Sequence, residues 1–266
     1  FNGTAWSVVP SPNLSHEGDN LTGVAAISAT NVWAVGWFEN DAENAILPLV
    51  LHFNGTAWSA VPNIPVNSNT IILHGIAARS ATDIWAVGET GNGPTNFALH
   101  FNGMQWSITP RAVFPSAGQE TLAGVASVSS NDVWAVGNFA PVNGSPPHTL
   151  AIHWNGTQWS KVTTPNVDAS LNRLFGVAAI SSKDVWAVGQ AVTPDGFGLH
   201  TLIEHWDGTQ WSIAPSPNKL PQGNNANSIL GVTVSGLTTL WAVGSFDSLV
   251  KGNPGLRTLT LHTNQG

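Results

Sequence analysis

The tetrapeptide Trp33-Ala34-Val35-Gly36 decides the fold, because it occurs five times in this chain of 266 residues. The other four copies begin at Trp85, Trp134, Trp186 and Trp241. A segment of small residues precedes each copy, as in Gly23-Val24-Ala25-Ala26, and one histidine follows each copy. These histidines are His52, His100, His153, His205 and His262. Repetition with a period of about fifty residues predicts one structural unit for each copy.

Each repeat contains four short runs of β-branched or aromatic residues with turn residues between them, which predicts four strands. The first strand is the small-residue segment, the second contains the tetrapeptide and the third contains the histidine. Asn54-Gly55 then leads into the fourth strand at Trp58, and related turns precede Trp106, Trp159 and Trp211. Because Asn-Gly favours a two-residue hairpin, we expect Leu51 to pair with Trp58.

Four antiparallel strands in about fifty residues are typical of a propeller blade, so the sequence predicts an all-β, five-bladed β-propeller in one domain. The small-residue strand is expected nearest the axis, where space is limited, and the Asn-Gly-x-x-Trp strand at the perimeter. The predicted blades span about residues 21–62, 73–110, 122–164, 174–215 and 229–262.

The two ends of the chain are expected to meet in the last blade. The fifth repeat contains three strand signals, through Leu259 to His262, and the missing fourth signal stands at Phe1 to Val9. We therefore expect residues 1–10 to pair with the third strand of the last blade. Such closure would leave no exposed sheet edge at either end of the ring.

The repeat motifs resemble those of bacterial β-propeller repeat proteins. Three motifs carry the resemblance: Ser-x-x-Asp-Val-Trp-Ala-Val-Gly at 181–189, His-Trp-Asn-Gly-Thr-x-Trp-Ser at 153–160, and Pro-Ser-Pro-Asn at 10–13. The repeats are loosely similar to kelch-like and galactose-oxidase-like propellers, although kelch uses a double glycine and a tyrosine, and this chain has no tyrosine. Five blades are shared with tachylectin-like lectins. The resemblance implies a propeller scaffold and permits a lectin-like function.

Composition excludes several kinds of partner. Charged residues make up 9% of the chain, the net charge is −7, and the eight Lys and Arg residues form no basic stripe, so nucleic acid and anionic membranes are not expected as partners. The absence of cysteine rules out disulfides and thiolate ligands. No apolar run is long enough to cross a membrane, and residues 1–4 do not resemble a signal peptide. Low charge with many short polar residues favours a secreted or cell-surface location.

Variable positions on the rigid scaffold are the candidate binding residues, because loops on a scaffold commonly carry function. The connections between the second and third strands and between blades share one face, and they differ most in length and sequence. Around the mouth of the channel, one variable position follows each tetrapeptide, at Trp37, Glu89, Asn138, Gln190 and Ser245. Another precedes each innermost strand, at Thr22, His74, Ala123, Phe175 and Leu230. This mixture of aromatic and polar groups suits a sugar or a peptide, and ordinary loop divergence is the alternative.

Metal binding and catalysis are weaker interpretations. The repeated histidines stand on the third strand, too far apart in different blades to share one ion, so we expect structural hydrogen bonds from them. Carboxylates in two loops of the first blade suggest a Ca²⁺ site, with solvated loops as the alternative. They are Glu17, Asp19, Glu39, Asp41 and Glu43. Glu204 stands where the other blades have leucine or isoleucine, and we expect it near the rim, partly exposed and opposite Trp211.

The sequence therefore favours a non-enzymatic binding or interaction module without a cofactor, which takes a carbohydrate or protein ligand at the cell surface. One alternative is a structural subunit that assembles with itself. A glycoside hydrolase or lyase is less favoured, because it needs paired carboxylates at the channel mouth and the innermost strands contain neither Asp nor Glu.

Overall fold

The computed structural model describes residues 4–16, 18–40, 42–91, 95–112, 117–167, 171–192, 198–216, 227–235, 239–248 and 255–264. These residues form nineteen β-strands in five antiparallel sheets and no helix, so none of them forms a helix that could span a membrane. The fold is a five-bladed all-β propeller, as the repeats predict.

The strands run in chain order, and each sheet is built from consecutive strands. Blade 1 contains β1 (Asp19–Ser28), β2 (Asn31–Asn40), β3 (Ala45–Phe53) and β4 (Trp58–Ala60). Blade 2 contains β5 (Ile71–Ser80), β6 (Asp83–Thr90), β7 (Asn96–Phe101) and β8 (Trp106–Ile108). Blade 3 contains β9 (Ala117–Ser129), β10 (Asp132–Pro141), β11 (His148–Trp154) and β12 (Trp159–Val162). Blade 4 contains β13 (Asn172–Ser181), β14 (Asp184–Val192), β15 (Leu199–Trp206) and β16 (Trp211–Ile213). Blade 5 contains β17 (Asn227–Ser235), β18 (Thr239–Ser248) and β19 (Gly255–Asn264).

The small-residue strands lie innermost, as expected. A Cβ atom added to Gly75 would lie 2.8 Å from the carbonyl oxygen of Ala123 in the next blade, and one added to Gly124 would lie 3.0 Å from that of Phe175. Glycine is needed at these positions because the backbones of neighbouring blades approach so closely.

The tetrapeptide joins each blade to the next. In blade 2, Trp85 and Val87 are fully buried and pack against the following blade. The Trp85 ring lies 5.3 Å from that of Trp154 and 5.5 Å from that of Trp159. The tetrapeptide needs its glycine for contacts within the blade, because a Cβ on Gly88 would lie 1.9 Å from the carbonyl oxygen of Ile72 in the neighbouring strand.

Four of the five repeated histidines, in blades 1 to 4, make the expected structural hydrogen bonds. Asn31 Oδ1 accepts a hydrogen bond from Trp33 Nε1 at 2.8 Å and is also hydrogen-bonded to His52 Nε2 at 2.9 Å. The second of these bonds links β2 to β3. In blades 2, 3 and 4 an aspartate bonds the equivalent histidine, at 2.8 to 3.0 Å. Each histidine also packs on the tryptophan of the tetrapeptide, as His205 does on Trp186 at 4.1 Å. Burial lowers the pKa of His52.

The predicted register of the outer hairpin is wrong by two residues. Phe53 pairs with Trp58 and Leu51 pairs with Ala60, so four residues form the connection instead of two. The cause is the Asn54 side chain, whose Oδ1 accepts hydrogen bonds from the backbone N–H groups of Thr56 and Ala57, both at 3.0 Å. The side chain thereby stabilises a wider turn in place of the two-residue hairpin.

The predicted closing strand does not form among the described residues. Residues 4–13 contain no strand, Trp6 is 86% exposed, and β19 is the outermost strand of a three-stranded sheet. In the other blades an aromatic residue ends the third strand and packs on the tryptophan of the fourth, whereas Thr263 holds that position in blade 5. Without this aromatic pair and without a connecting turn, a strand of three or four residues cannot offset its loss of conformational entropy. Phe1 lies outside the described residues.

Glu204 also differs from expectation. It is fully buried, pairs with Ile213, and lies between blades 3 and 4, whereas Trp211 pairs with Trp206. Burial raises the pKa of Glu204 to about 8, and neither carboxyl oxygen has a hydrogen-bond partner among the described residues. Leucine and isoleucine at the equivalent positions of blades 1 to 3 are equally buried, so the repeat position, and not the residue type, determines the exposure.

Candidate functional site

One cavity of about 680 Å³ occupies the mouth of the channel on the loop-rich face. All five blades contribute to its lining. The lining contains many neutral polar groups, among them Gln119, Thr121 and Asn138, together with apolar side chains such as Ile72 and Phe175. Its location is the one expected from the variable positions in the sequence.

A β-bulge in each blade supplies one residue to the cavity. In every inner strand the pairing skips one residue just before the glycine of the small-residue segment. The five skipped residues are Thr22, His74, Ala123, Phe175 and Leu230, and all five line the cavity. Bulges often occur beside functional sites, because they redirect a side chain out of the regular alternation of a strand.

The positions after the tetrapeptide divide into two groups. Glu89 and Asn138 line the cavity, whereas Trp37, Gln190 and Ser245 are absent from its described lining. Asn138 and Gln190 stand at the same position of blades 3 and 4, so the structure distinguishes two side chains that the sequence treats as equivalent.

A short polar chain crosses from blade 2 to blade 3. His74 Nε2 lies 3.5 Å from Glu89 Oε1, and the hydroxyl of Thr121 donates a hydrogen bond to Glu89 Oε2 at 2.5 Å. The nearby imidazole of His74 is the main reason that the pKa of Glu89 lies below its ordinary value, although burial opposes the shift. Glu89 is the sole carboxylate in the described lining, and it is held ionised by these partners.

Arg173 is one of the lining residues that were not among the candidates from the sequence. Its guanidinium brings a positive charge to the cavity, and its Nε is buried without a hydrogen-bond partner among the described residues. Arg173 stands two residues before Phe175, and Ile72 and Thr121 precede His74 and Ala123 in the same way. Residues two apart in a strand lie on the same face, so the sequence could have indicated Ile72, Thr121 and Arg173 from the candidates His74, Ala123 and Phe175.

Thr22 has a structural role that the sequence did not indicate. Its hydroxyl lies 2.7 Å from the carbonyl oxygen of Leu73 in blade 2 and 3.2 Å from that of Val35 in its own blade. Because a hydroxyl has only one proton to donate, and Thr22 uses it on a backbone carbonyl, Thr22 connects the first two blades and has no proton left to donate to a ligand.

The predicted Ca²⁺ residues are only partly described, because Glu17 and Asp41 lie outside the described residues. The Asp19 carboxylate accepts hydrogen bonds from Leu14 N at 2.6 Å and from Ser15 Oγ at 2.9 Å, and so orders the loop before β1. Within the described ranges no group of three or more His, Asp or Glu side chains is placed to hold a metal ion. The calcium hypothesis stays a prediction.

Comparison with known proteins supports the fold. No family model matches the chain, and no curated protein matches its sequence. Among solved structures, it is similar to a Hadza microbial sialidase, with 11% identity, 89% of this chain and 57% of that chain covered, and a TM-score of 0.58. A polysaccharide lyase of the ulvan lyase family PL25 has 11% identity, with 87% and 64% covered and a TM-score of 0.53. The six-bladed fucose-recognising lectin of the fungus Aleuria aurantia has 10% identity, with 89% and 77% covered and a TM-score of 0.46.

The sialidase and the lyase show a shared propeller architecture and, at these identities, nothing about a ligand or an activity. The chain spans less than two thirds of the length of both proteins.

Proposed function

We propose that this chain is a non-enzymatic binding module of the cell surface that holds a carbohydrate in the cavity at the channel mouth. One observation carries the proposal: five bulged residues, one from each blade, line a single cavity. Equivalent positions of the five inner strands meet at the channel mouth by symmetry, so the support comes from the mixture of polar, basic and apolar residue types that they bring there. A protein ligand that inserts a loop into the same cavity is the second form of this proposal.

The chemistry of the lining favours a carbohydrate. The amides of Gln119 and Asn138 can exchange hydrogen bonds with sugar hydroxyls, and the ring of Phe175 offers a face to the apolar side of a sugar. The positive charge of the Arg173 guanidinium in the lining further favours a sugar that carries an acidic group.

Hydrolysis is less well supported. Both stereochemical classes of glycoside hydrolase use two carboxyl groups about 5 to 9.5 Å apart. Glu89 stands alone in the described lining, and its low pKa makes it a poor proton donor at neutral pH.

The decisive experiment pairs two substitutions at one repeat position. A glycan array first identifies a ligand, and calorimetry then measures its affinity for Asn138→Ala and Gln190→Ala. Loss of a hydrogen bond at Asn138 should weaken binding about tenfold, because one such bond contributes about 1.4 kcal/mol, whereas Gln190→Ala should bind as the wild type does.

Equal effects of the two substitutions would contradict the assignment of the cavity as the site. Turnover of any glycoside in a hydrolysis panel would instead overturn the non-enzymatic assignment. Binding of peptides but not of glycans would select the second form of the proposal.

A further inference from the structure

The blades are joined by one recurring apolar interface. The tryptophan and valine of a tetrapeptide face the next blade, where they meet the valine of the inner strand and the aromatic residues of the outer hairpin. Between blades 2 and 3, for example, Trp85 and Val87 pack with Val125, Trp154 and Trp159. The interface is directional, because one blade offers the tetrapeptide and the other offers the aromatic hairpin.

Blade 5 exposes the tetrapeptide side of this interface. Trp241 is 40% exposed and Val243 is 53% exposed, whereas the equivalent valines Val35, Val87 and Val136 are fully buried. We call Trp241 and Val243 the tail face.

Blade 1 exposes the complementary side. Val24 is 68% exposed, whereas the equivalent Val125 and Val177 are each 8% exposed against a preceding blade. The outer hairpin carries the same kind of aromatic pair as the internal interfaces, with the rings of Phe53 and Trp58 at 5.4 Å. We call Val24, Phe53 and Trp58 the head face.

The two faces of one molecule do not meet among the described residues. Each inner strand packs along the next in the order β1, β5, β9, β13, β17, and no comparable contact returns from β17 to β1. A Cβ added to Gly176 would lie 3.2 Å from Gly231 of the next blade, whereas one added to Gly231 would meet no described atom of another blade. Within the part of the chain that the structure describes, the blades thus surround the channel mouth as an arc whose two apolar ends do not pair with each other.

We propose that the tail face of one chain binds the head face of a second copy, by the same contacts that join successive blades. The second copy is the occupant that fits, because the head face carries an apolar inner-strand residue and an aromatic pair of the kind that the tetrapeptides of blades 1, 2 and 3 contact. A head-to-tail contact of this kind is heterologous, so it builds a closed ring or an open filament of copies. It would also bring Thr22 and Leu230, which line the cavity at opposite ends of the arc, beside a neighbouring molecule.

The test blocks one face at a time with a buried charge. Val24→Glu blocks the head face and Val243→Glu blocks the tail face; both residues are more than half exposed, so neither substitution disturbs a packed core. Val142→Glu is the matched control, because Val142 is 72% exposed and belongs to neither face. Sedimentation velocity across a wide range of concentration gives the mass of each variant alone and of the two blocked variants mixed in equal amounts.

The wild type and Val142→Glu should grow in mass with concentration, and each blocked variant should stay at the 27.9 kDa of one chain. The mixture should stop at twice that mass, because a free tail on one variant and a free head on the other can form one contact only. A wild type that remains monomeric at every concentration would overturn the proposal, as would a mixture that remains monomeric. Association of a blocked variant by itself would show that another surface is responsible.

Discussion

Replacing Glu204 with leucine should stabilise the protein, by an amount that grows with pH. Below pH 4.5 the carboxyl group is protonated in both the folded and the unfolded chain and adds no electrostatic penalty. Between pH 4.5 and about 8 the unfolded chain loses this proton while the folded chain keeps it, so the stability of the wild type falls as pH rises. One pKa unit corresponds to about 1.4 kcal/mol, so the penalty reaches about 3 kcal/mol at pH 7 and about 4 kcal/mol at pH 8, where the folded carboxyl group is half ionised.

Urea denaturation followed by tryptophan fluorescence at several pH values between 4.5 and 8 measures this effect. The informative quantity is the stability of Glu204→Leu minus that of the wild type, because all other titrating groups cancel from it. Glu204→Gln serves as the control, since it removes the titration and retains a buried polar group, so its advantage over the wild type should also grow with pH. A difference between Glu204→Leu and the wild type that stays constant from pH 4.5 to 8 would refute the reasoning.

Two further substitutions test the repeat itself. Gly137→Ala should cost about 3 kcal/mol of stability, because the new Cβ would lie 1.9 Å from the carbonyl oxygen of Thr121. Gly18→Ala should leave the stability unchanged, because the closest described neighbour of its Cβ would lie at 3.5 Å. Thermal denaturation compares the two variants, and equal stabilities would contradict the steric argument. Asp184→Ala should cost about 2 kcal/mol through the loss of two hydrogen bonds. Asp184→Asn should cost less than half of that amount, because Asn31 makes the two equivalent hydrogen bonds in blade 1. A larger loss of stability would show that the negative charge is essential.

The sequence predicted what repetition determines. Five copies of the tetrapeptide gave the number of blades, and the size of Gly75 and Gly124 placed their strands nearest the axis. The same comparison of copies located variable residues at the channel mouth, since a position that differs among copies is free of the scaffold's requirements. Both arguments need only the pattern of residue types.

What the sequence could not predict depends on individual contacts. The register of the outer hairpin follows from two hydrogen bonds to Asn54, which override the usual preference of Asn-Gly. The burial of Glu204 follows from its repeat position, whereas its charge suggested exposure. Arg173 differs from these two cases, because the two-residue period of its strand, which the sequence shows, puts it at the same cavity as Phe175.

The recurring interface also bears on how such a chain can change over time. Each blade meets its neighbours through the same few positions, so a duplicated blade inserted between two others would find both of its surfaces already matched. Gene duplication or unequal recombination could therefore lengthen or shorten the array without any compensating substitution. The bulged residue would arrive with each new copy, so the number of side chains around the channel mouth would change along with the number of blades.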